Sequence, residues 1–359
     1  MPELHPVLTS RVPSNKAVLD FDLAMMAGRP LVVCTHDVSR RACTWDPATD
    51  QWTEYQLDNP WLEDSEGDYT ELTALGAAVV NGRIVVGGGG DHQGFAQWDL
   101  ETGKVLSGAE PSSVSSVRAV ALSGRTLFVL GFGAPGLEVH SPAKNDSPQT
   151  DDLGAREPGD DDSVEGLIWL TDELESCGSI AAGTVWGRSV IAANGVQGGI
   201  AVWDFDQDEP ILELDAPDDS EDEFNHFALA TVQDRAFLLA AGERVLGVCD
   251  VSDPDAPAWA EPITVPGGDI ECFDAGVVNG CVVAGTGGAD GTFCLWDIAD
   301  RRLLAEPNTM HRREEPDFPS EVCAVRFTQL DARPVAITAG RDRTVRVWDF
   351  PEIGSNEHS

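Results

Sequence analysis

Carboxylates are the residues of this 359-residue chain whose number and placement could do chemistry: 62 Asp and Glu stand against 23 Lys and Arg, a formal net charge of −39. Three runs are dense. They hold Asp58, Glu63, Asp64, Glu66 and Asp68, then Asp160, Asp161, Asp162 and Glu165, then Asp218, Asp219, Glu221, Asp222 and Glu223. Four further glutamates, Glu71, Glu175, Glu271 and Glu321, stand at or near the start of strand-like stretches. Crowded acids favour whatever cation relieves them, so such a set suits an ammonium, a guanidinium or a metal ion. The same charge repels phosphate backbones and anionic lipid, which need clustered Lys and Arg, and Lys16, Lys104 and Lys144 are the only lysines. Nucleic acid and membrane are thus not expected as partners; a basic protein or peptide, or a cationic small molecule, is.

The remaining reactive residues assemble into no motif. His36-Asp37 and Asp91-His92 each pair an imidazole with an acid, as a fragment of a triad or a metal site would, but no Ser in a nucleophile-elbow setting completes them. Eight cysteines are scattered, with no C-x-x-C pair and no Cys/His spacing of zinc type. They read as reduced residues buried in strands, with Cys272, Cys281 and Cys294 the stretch where a disulfide or metal site would be sought. Gly87 to Gly90 follows a strand but precedes neither a helix nor a Lys, which excludes a phosphate loop. No catalytic residue, metal site or cofactor is predicted.

What positions the acids is a repeat. "ACTWDPATDQW", "FAQWDLETGKV", "IAVWDFDQDEP", "FCLWDIADRRL" and "VRVWDFPE" place Trp-Asp pairs at Trp45, Trp98, Trp203, Trp296 and Trp348. Two weaker copies fill the gaps: "GLEVHSPAKND", with Val139 and His140 in place of the pair, and "LGVCDVSDPDA", with Cys249 and Asp250. The later copies recur every 46 to 52 residues or so, which makes seven units. The sequence resembles the WD-repeat β-propeller family over essentially the whole chain, although the Gly-His dipeptide usual early in each repeat is absent. The resemblance implies an all-β fold, a seven-bladed β-propeller of four-stranded antiparallel blades, and service as a binding scaffold.

The units also read as strands and turns in their own right. In the second, "ELTALGAAVV" is an apolar strand, "NG" a tight turn, "RIVVGGG" a second strand, "FAQWDL" a third and "KVLSGAE" a fourth. Asn81-Gly82, Ser123-Gly124, Trp186-Gly187, Gln233-Asp234 and Asn279-Gly280 are the corresponding first turns. The last unit supplies only three strands, so "HPVLTS" (5–10) is expected to pair with the strand of Trp348 and close the ring. The whole chain, 1–359, is read as one propeller with a closing strand in 1–12, an acidic insertion at 141–165 and a tail at 352–359.

With strands a to d in each blade, the b–c and d–a connections share one face. The three acid runs fall in d–a connections and so share that face, beside Trp61, Tyr69, Trp169, Phe224 and Phe318. The b–c turns add Asp37, Asp91, Asp290 and Asp342, expected to bond local backbone. Glu71, Glu175, Glu271 and Glu321 are placed around the mouth of the central channel. The function expected is a non-catalytic interaction scaffold whose acidic loop face, through Glu63, Asp64, Glu66, Asp68, Asp161, Asp162, Asp219, Glu221, Asp222 and Glu223, binds a basic peptide or protein. The alternative is a small-molecule or cation site, or an enzyme, built on the channel-mouth glutamates. The start lacks the basic, apolar pattern of a secretory leader, and "LAMMAGRPLVVC" is too short and interrupted to span a membrane. A cytoplasmic location is expected, and the lysine-poor, Ala-, Gly-, Asp- and Arg-rich composition points to a high-GC bacterium.

Overall fold

Six first hairpins turn on two successive residues with positive φ: Ala27-Gly28, Asn81-Gly82, Ser123-Gly124, Trp186-Gly187, Asn279-Gly280 and Asp331-Ala332. Their twist matches that of the flanking strands, which is why these dipeptides punctuate the repeat. The computed structural model describes residues 1–36, 41–59, 72–90, 93–108, 113–132, 137–143, 179–194, 199–207, 209–215, 224–311 and 320–351.

After β1 (Pro6–Arg11), the first blade is β2 (Val18–Met26), β3 (Arg29–His36), β4 (Arg41–Asp46) and β5 (Gln51–Gln56). The second is β6 (Ala74–Val80), β7 (Arg83–Gly90), β8 (Gln93–Asp99) and β9 (Val105–Gly108). The third shows three described strands, β10 (Val114–Leu122), β11 (Arg125–Phe132) and β12 (Leu137–His140). The fourth is β13 (Ala181–Val185), β14 (Arg188–Asn194), β15 (Ile200–Asp204) and β16 (Glu209–Leu214). The fifth is β17 (His226–Val232), β18 (Arg235–Ala241) and β19 (Val245–Asp250), with its outer strand split into β20 (Ala258–Trp259) and β21 (Ile263–Thr264). The sixth is β22 (Ile270–Val278), β23 (Cys281–Gly288), β24 (Phe293–Asp297) and β25 (Arg302–Leu303). The seventh is β26 (Val322–Leu330), β27 (Arg333–Gly340) and β28 (Thr344–Asp349), completed by β1.

The ring closes as expected. β1 runs antiparallel to β28, with Leu8 opposite Val347 and Ser10 opposite Val345. Each first strand meets the next around the axis, and the seven buried apolar clusters lie one at each interface between neighbouring blades. No single sheet can bury both its faces alone, so stability comes from stacking. Among the described residues no helix is long and apolar enough to cross a membrane.

The Asp that closes the third strand has up to two tasks. One carboxylate oxygen caps the c–d turn: the amides of Ala48, Thr102, Asp206, Ser252 and Asp300 donate to Asp46, Asp99, Asp204, Asp250 and Asp297. The other faces the arginine that opens the second strand. Arg29, Arg83, Arg188, Arg235 and Arg333 lie 3.9, 2.9, 2.9, 2.7 and 3.3 Å from Asp46, Asp99, Asp204, Asp250 and Asp349. In the sixth blade Cys281 takes the arginine's place, and Arg302 reaches Asp297 instead at 3.4 Å.

Register corrects one assignment. In the third blade it is His140, not Val139, that pairs with Phe128, the place where Trp45 pairs with Val32 in the first. His140 therefore stands in for the tryptophan and Ser141 for the aspartate, so Arg125 has no partner acid of this kind. The imidazole packs on Phe95 at 4.8 Å between ring centroids and meets Glu138 at 2.8 Å.

Candidate functional site at the channel mouth

Every blade contributes the start of its first strand to one cavity of about 260 Å³ on the axis. Leu19 and Asp20 come from the first blade, Thr73 from the second, Ser115, Ser116 and Arg118 from the third, and Ser179 from the fourth. His226 comes from the fifth, Glu271 and Cys272 from the sixth, and Glu321, Cys323, Arg326 and Arg341 from the seventh.

Local backbone irregularity aims these side chains. In β2, β10, β22 and β26 the register against the second strand slips at the second residue, a β-bulge repeated in four blades. The register passes over Leu19, Ser115, Glu271 and Cys323, and all four line the cavity. Bulges turn a side chain off the alternation of the strand. Glu271 owes its place to one.

Below the mouth the channel is floored by charge. Counted back from the hairpin turns, one register position holds Asp22, Gly76, Arg118, Ala181, Ala228, Asp274 and Arg326. Two acids and two arginines share the layer with three small residues that leave them room. A Cβ on Gly76 would lie 2.9 Å from the Ala119 amide nitrogen, so glycine is required where this strand meets that of Arg118. Arg326 reaches Asp20 at 3.3 Å and Asp22 at 3.9 Å. Nη1 of Arg118 is buried without a hydrogen-bond partner among the described residues.

The channel aspartates also tie blades together. Asp20 and Asp22 each accept one hydrogen bond from the next residue's amide, at 2.8 and 2.9 Å, and one from the second blade, from Leu75 at 3.0 Å and Ala77 at 2.9 Å. Asp274 does the same for Ala275 and, in the seventh blade, Phe327 at 3.2 Å. Burial pushes all three carboxyls up to about 6 against the pull of the Arg118 charge. His226 is pushed down to about 4, by burial first and then by Arg118.

Of the four predicted mouth glutamates, the structure brings Glu271 and Glu321 together; Glu71 and Glu175 lie outside the described residues. Glu271 is raised by burial, then by Glu321 and Asp269, while Arg341 opposes the shift. Glu321 is held by Arg341 at 2.7 Å. The mouth is therefore not a simple ring of acids: Arg118, Arg326, Arg341 and His226 share it. Cys272 and Cys323 are both raised well above the ordinary thiol value by burial and by Glu321, the opposite of an activated nucleophile.

The acidic-face residues Glu63, Asp64, Glu66, Asp68, Asp161, Asp162, Asp219, Glu221, Asp222 and Glu223 lie outside the described residues, as do Asp37, Asp91 and His92. Of the loop aromatics only Phe224 is described, and it is core, buried between the fourth and fifth blades with its carbonyl accepting from Asn194 at 2.9 Å. The turn acids Asp290 and Asp342 take the structural role expected, accepting from the amides of Thr292 and Thr344.

Asp342 does more. It meets His311 Nδ1 at 3.0 Å and Arg346 at 2.7 Å, while His311 Nε2 and Trp348 Nε1 converge on the Thr338 hydroxyl at 2.7 and 2.8 Å. His311 and then Arg346 draw the Asp342 carboxyl down to about 2 against burial. This buried network locks the seventh blade.

Fold and site together define a seven-bladed β-propeller with a polar, charge-floored mouth. Compared with known proteins, the sequence matches no family model and no curated protein, so its class rests on this architecture.

Proposed function

We propose that this propeller belongs with the WD-repeat proteins and is a non-catalytic interaction platform. Its acid-rich loop face binds a basic peptide or protein, and one Arg or Lys side chain of that partner seats in the channel mouth beside Glu271. The observation that carries this is the Glu271 carboxyl in the cavity wall, raised by burial and then by Glu321 and Asp269 against the pull of Arg341. A cation placed there counters that rise. The cavity, at about 260 Å³, is smaller than most small-molecule sites, which start near ~300 Å³, and suits one long side chain. Five arginines are spent on the carboxylates that close the third strands, four of them in Trp-Asp endings, so the acid excess of the loops has less to neutralise it. The WD-repeat assignment is supported by the recurring Trp-Asp ending and by His311, which fills the place of the missing dipeptide histidine with Met310 before it and Asp342 and Thr338 as partners.

The test is fluorescence anisotropy of labelled Arg-rich, Lys-rich and acidic peptides against the full chain at low and high salt. Basic peptides are expected to bind, to weaken as salt rises, and to weaken about tenfold further in Glu271→Gln, the loss of one charge-assisted contact of ~1.5 kcal/mol or so. Equal binding of basic and acidic peptides would sink the proposal, as would no binding at all. A second reading, a free small cation in the mouth, draws on the same carboxyls; saturable binding of an alkylguanidinium but of no peptide would favour it.

A further inference from the structure

Blade equivalence points to a metal site in the first blade. In the seventh blade, Thr338 pairs with Arg346 across β27 and β28, beside the buried His311. The equivalent cross-strand pair in the first blade is Cys34 and Cys43, both fully buried. Gly340 has its counterpart in His36. A Cβ on Gly340 would lie 2.7 Å from His311 Nδ1, so the first blade fills from its own second strand the slot that an imidazole from the preceding connection fills in the seventh.

The two networks differ in one respect. In the seventh blade each histidine nitrogen has partners, Asp342 and Thr338. In the first, His36 is 1% exposed and, among the described residues, neither Nδ1 nor Nε2 has a nitrogen or oxygen partner, the Cys43 thiol being the polar group beside the ring. Two orphaned nitrogens on a buried ring are costly unless something else engages them. The β4–β5 register sets Glu54 opposite Cys43, and ligand atoms of His36, Cys43 and Glu54 all lie within 4.8 Å of one another.

We propose that His36, Cys43 and Glu54 bind a zinc-type divalent transition-metal ion, with a water completing the shell on the solvent side of Glu54. Thiolate, imidazole and carboxylate are the donors zinc takes. Tetrahedral bonds of ~2.0–2.3 Å put donor atoms ~3.3–3.8 Å apart, so closure needs a shift of about an ångström, which the exposed Glu54 side chain on the outer strand can supply. Glu54 also gives the ion its route from solvent, and binding releases the Cys43 thiol proton to water. No Cys/His spacing announces the site because its ligands sit on three strands and meet only through register.

The experiment is titration of the reduced, chelator-stripped full chain with Co²⁺, followed by competition with Zn²⁺. A thiolate-to-cobalt charge-transfer band saturating at stoichiometric metal, lost on adding Zn²⁺, is expected. Cys43→Ser should abolish the band. Because Cys43 is core, Glu54→Gln provides the second variant: it leaves the fold intact by circular dichroism and weakens Co²⁺ affinity at least about tenfold. Absence of the band in the folded wild type would overturn the proposal. So would a band that survives Cys43→Ser, unchanged affinity in Glu54→Gln, or mass spectrometry showing Cys34 and Cys43 joined as a disulfide in the freshly purified chain.

Discussion

Closure by the N-terminus can be tested residue by residue. Leu4 is 3% exposed and packs between the sixth and seventh blades, and Val12 is 1% exposed between the seventh and the first. Asn308 donates to the Leu4 carbonyl, and the Val12 amide to the Arg343 carbonyl at 3.1 Å. Ser10 then stitches the closing strand to the first blade, donating to Asp50 at 2.6 Å and accepting from Trp52 at 2.8 Å. Leu4→Ala removes a buried side chain from a packed interface, a loss of ~2–5 kcal/mol. An unfolding entropy of ~2.1 cal/mol/K per residue, about 0.75 kcal/mol/K for a chain of this length unfolding as one unit, converts that to a fall in Tm of about 3–7 °C. Val7, 50% exposed on the same segment, is the control, and Val7→Ala should cost no more than about 0.5 kcal/mol.

Deleting residues 1–12 should cost more than Leu4→Ala, because the β28 edge loses its ladder as well. Trp52, stacked on Trp45 at 5.8 Å and bonded to Ser10, reports the event in tryptophan fluorescence alongside calorimetry. A synthetic peptide of residues 1–12 added in trans should restore part of the lost Tm. An unchanged melting transition in the deletion, or equal effects of Leu4→Ala and Val7→Ala, would refute the closure.

Two further outcomes follow from the buried carboxylates. Asp274 is raised from the ordinary value near 3.8 to about 6, so between those values the folded chain holds a proton that the unfolded chain has released; its contribution is complete below about 4 and is lost as pH rises through 6. His226, lowered to about 4, acts in the opposite sense, its contribution present above about 6.5 and lost as pH falls through 4. Because each substitution isolates one group, the stability of the wild type minus that of Asp274→Asn, from urea titrations, should grow by about 1 kcal/mol between pH 7 and pH 5; a constant difference would show that Asp274 does not titrate there. In the fourth blade, Asp204→Ala should cost about 1–2 kcal/mol, since it removes the acceptor that holds the turn amides of Asp206 and Gln207. Arg188→Ala, whose side chain is half exposed, should cost under about 1 kcal/mol, and equal losses would mean that the ion pair, not the turn cap, makes the ending recur.

The architecture was legible because its signals are local and repeated. Trp-Asp endings, Asn-Gly turns and a last unit one strand short each predict a feature that the structure shows. The mouth was only half legible. Glu271 and Glu321 stood out as acids at strand starts, but where Glu271 points depends on a bulge that alternation cannot reveal. Asp22, Arg118, Asp274 and Arg326 were missed, although one signal was available: each is a charge in the middle of a first strand, four residues before the hairpin end. The slip at His140 has the same origin, since with both halves of the pair replaced only register can say which residue takes the tryptophan's place.

A ring of seven similar blades makes seven copies of every environment, so what is particular to this protein lies where the copies diverge. At the position of Thr338 the sixth blade keeps a threonine, Thr286, whose hydroxyl accepts from Trp296 at 3.1 Å, while the first has Cys34. At the position of Arg346 the sixth has Cys294 and the first Cys43. The tryptophan survives in all three, and in the first it turns to Asp50 at 2.9 Å, leaving the interior slot to His36 and two thiols. Charge follows the same logic on the axis, where one register position is acidic in two blades, basic in two and small in three. Seven acids there would repel one another and seven small residues would leave the layer empty; the mixed set pairs Arg326 with Asp20 and Asp22 across the floor of the mouth.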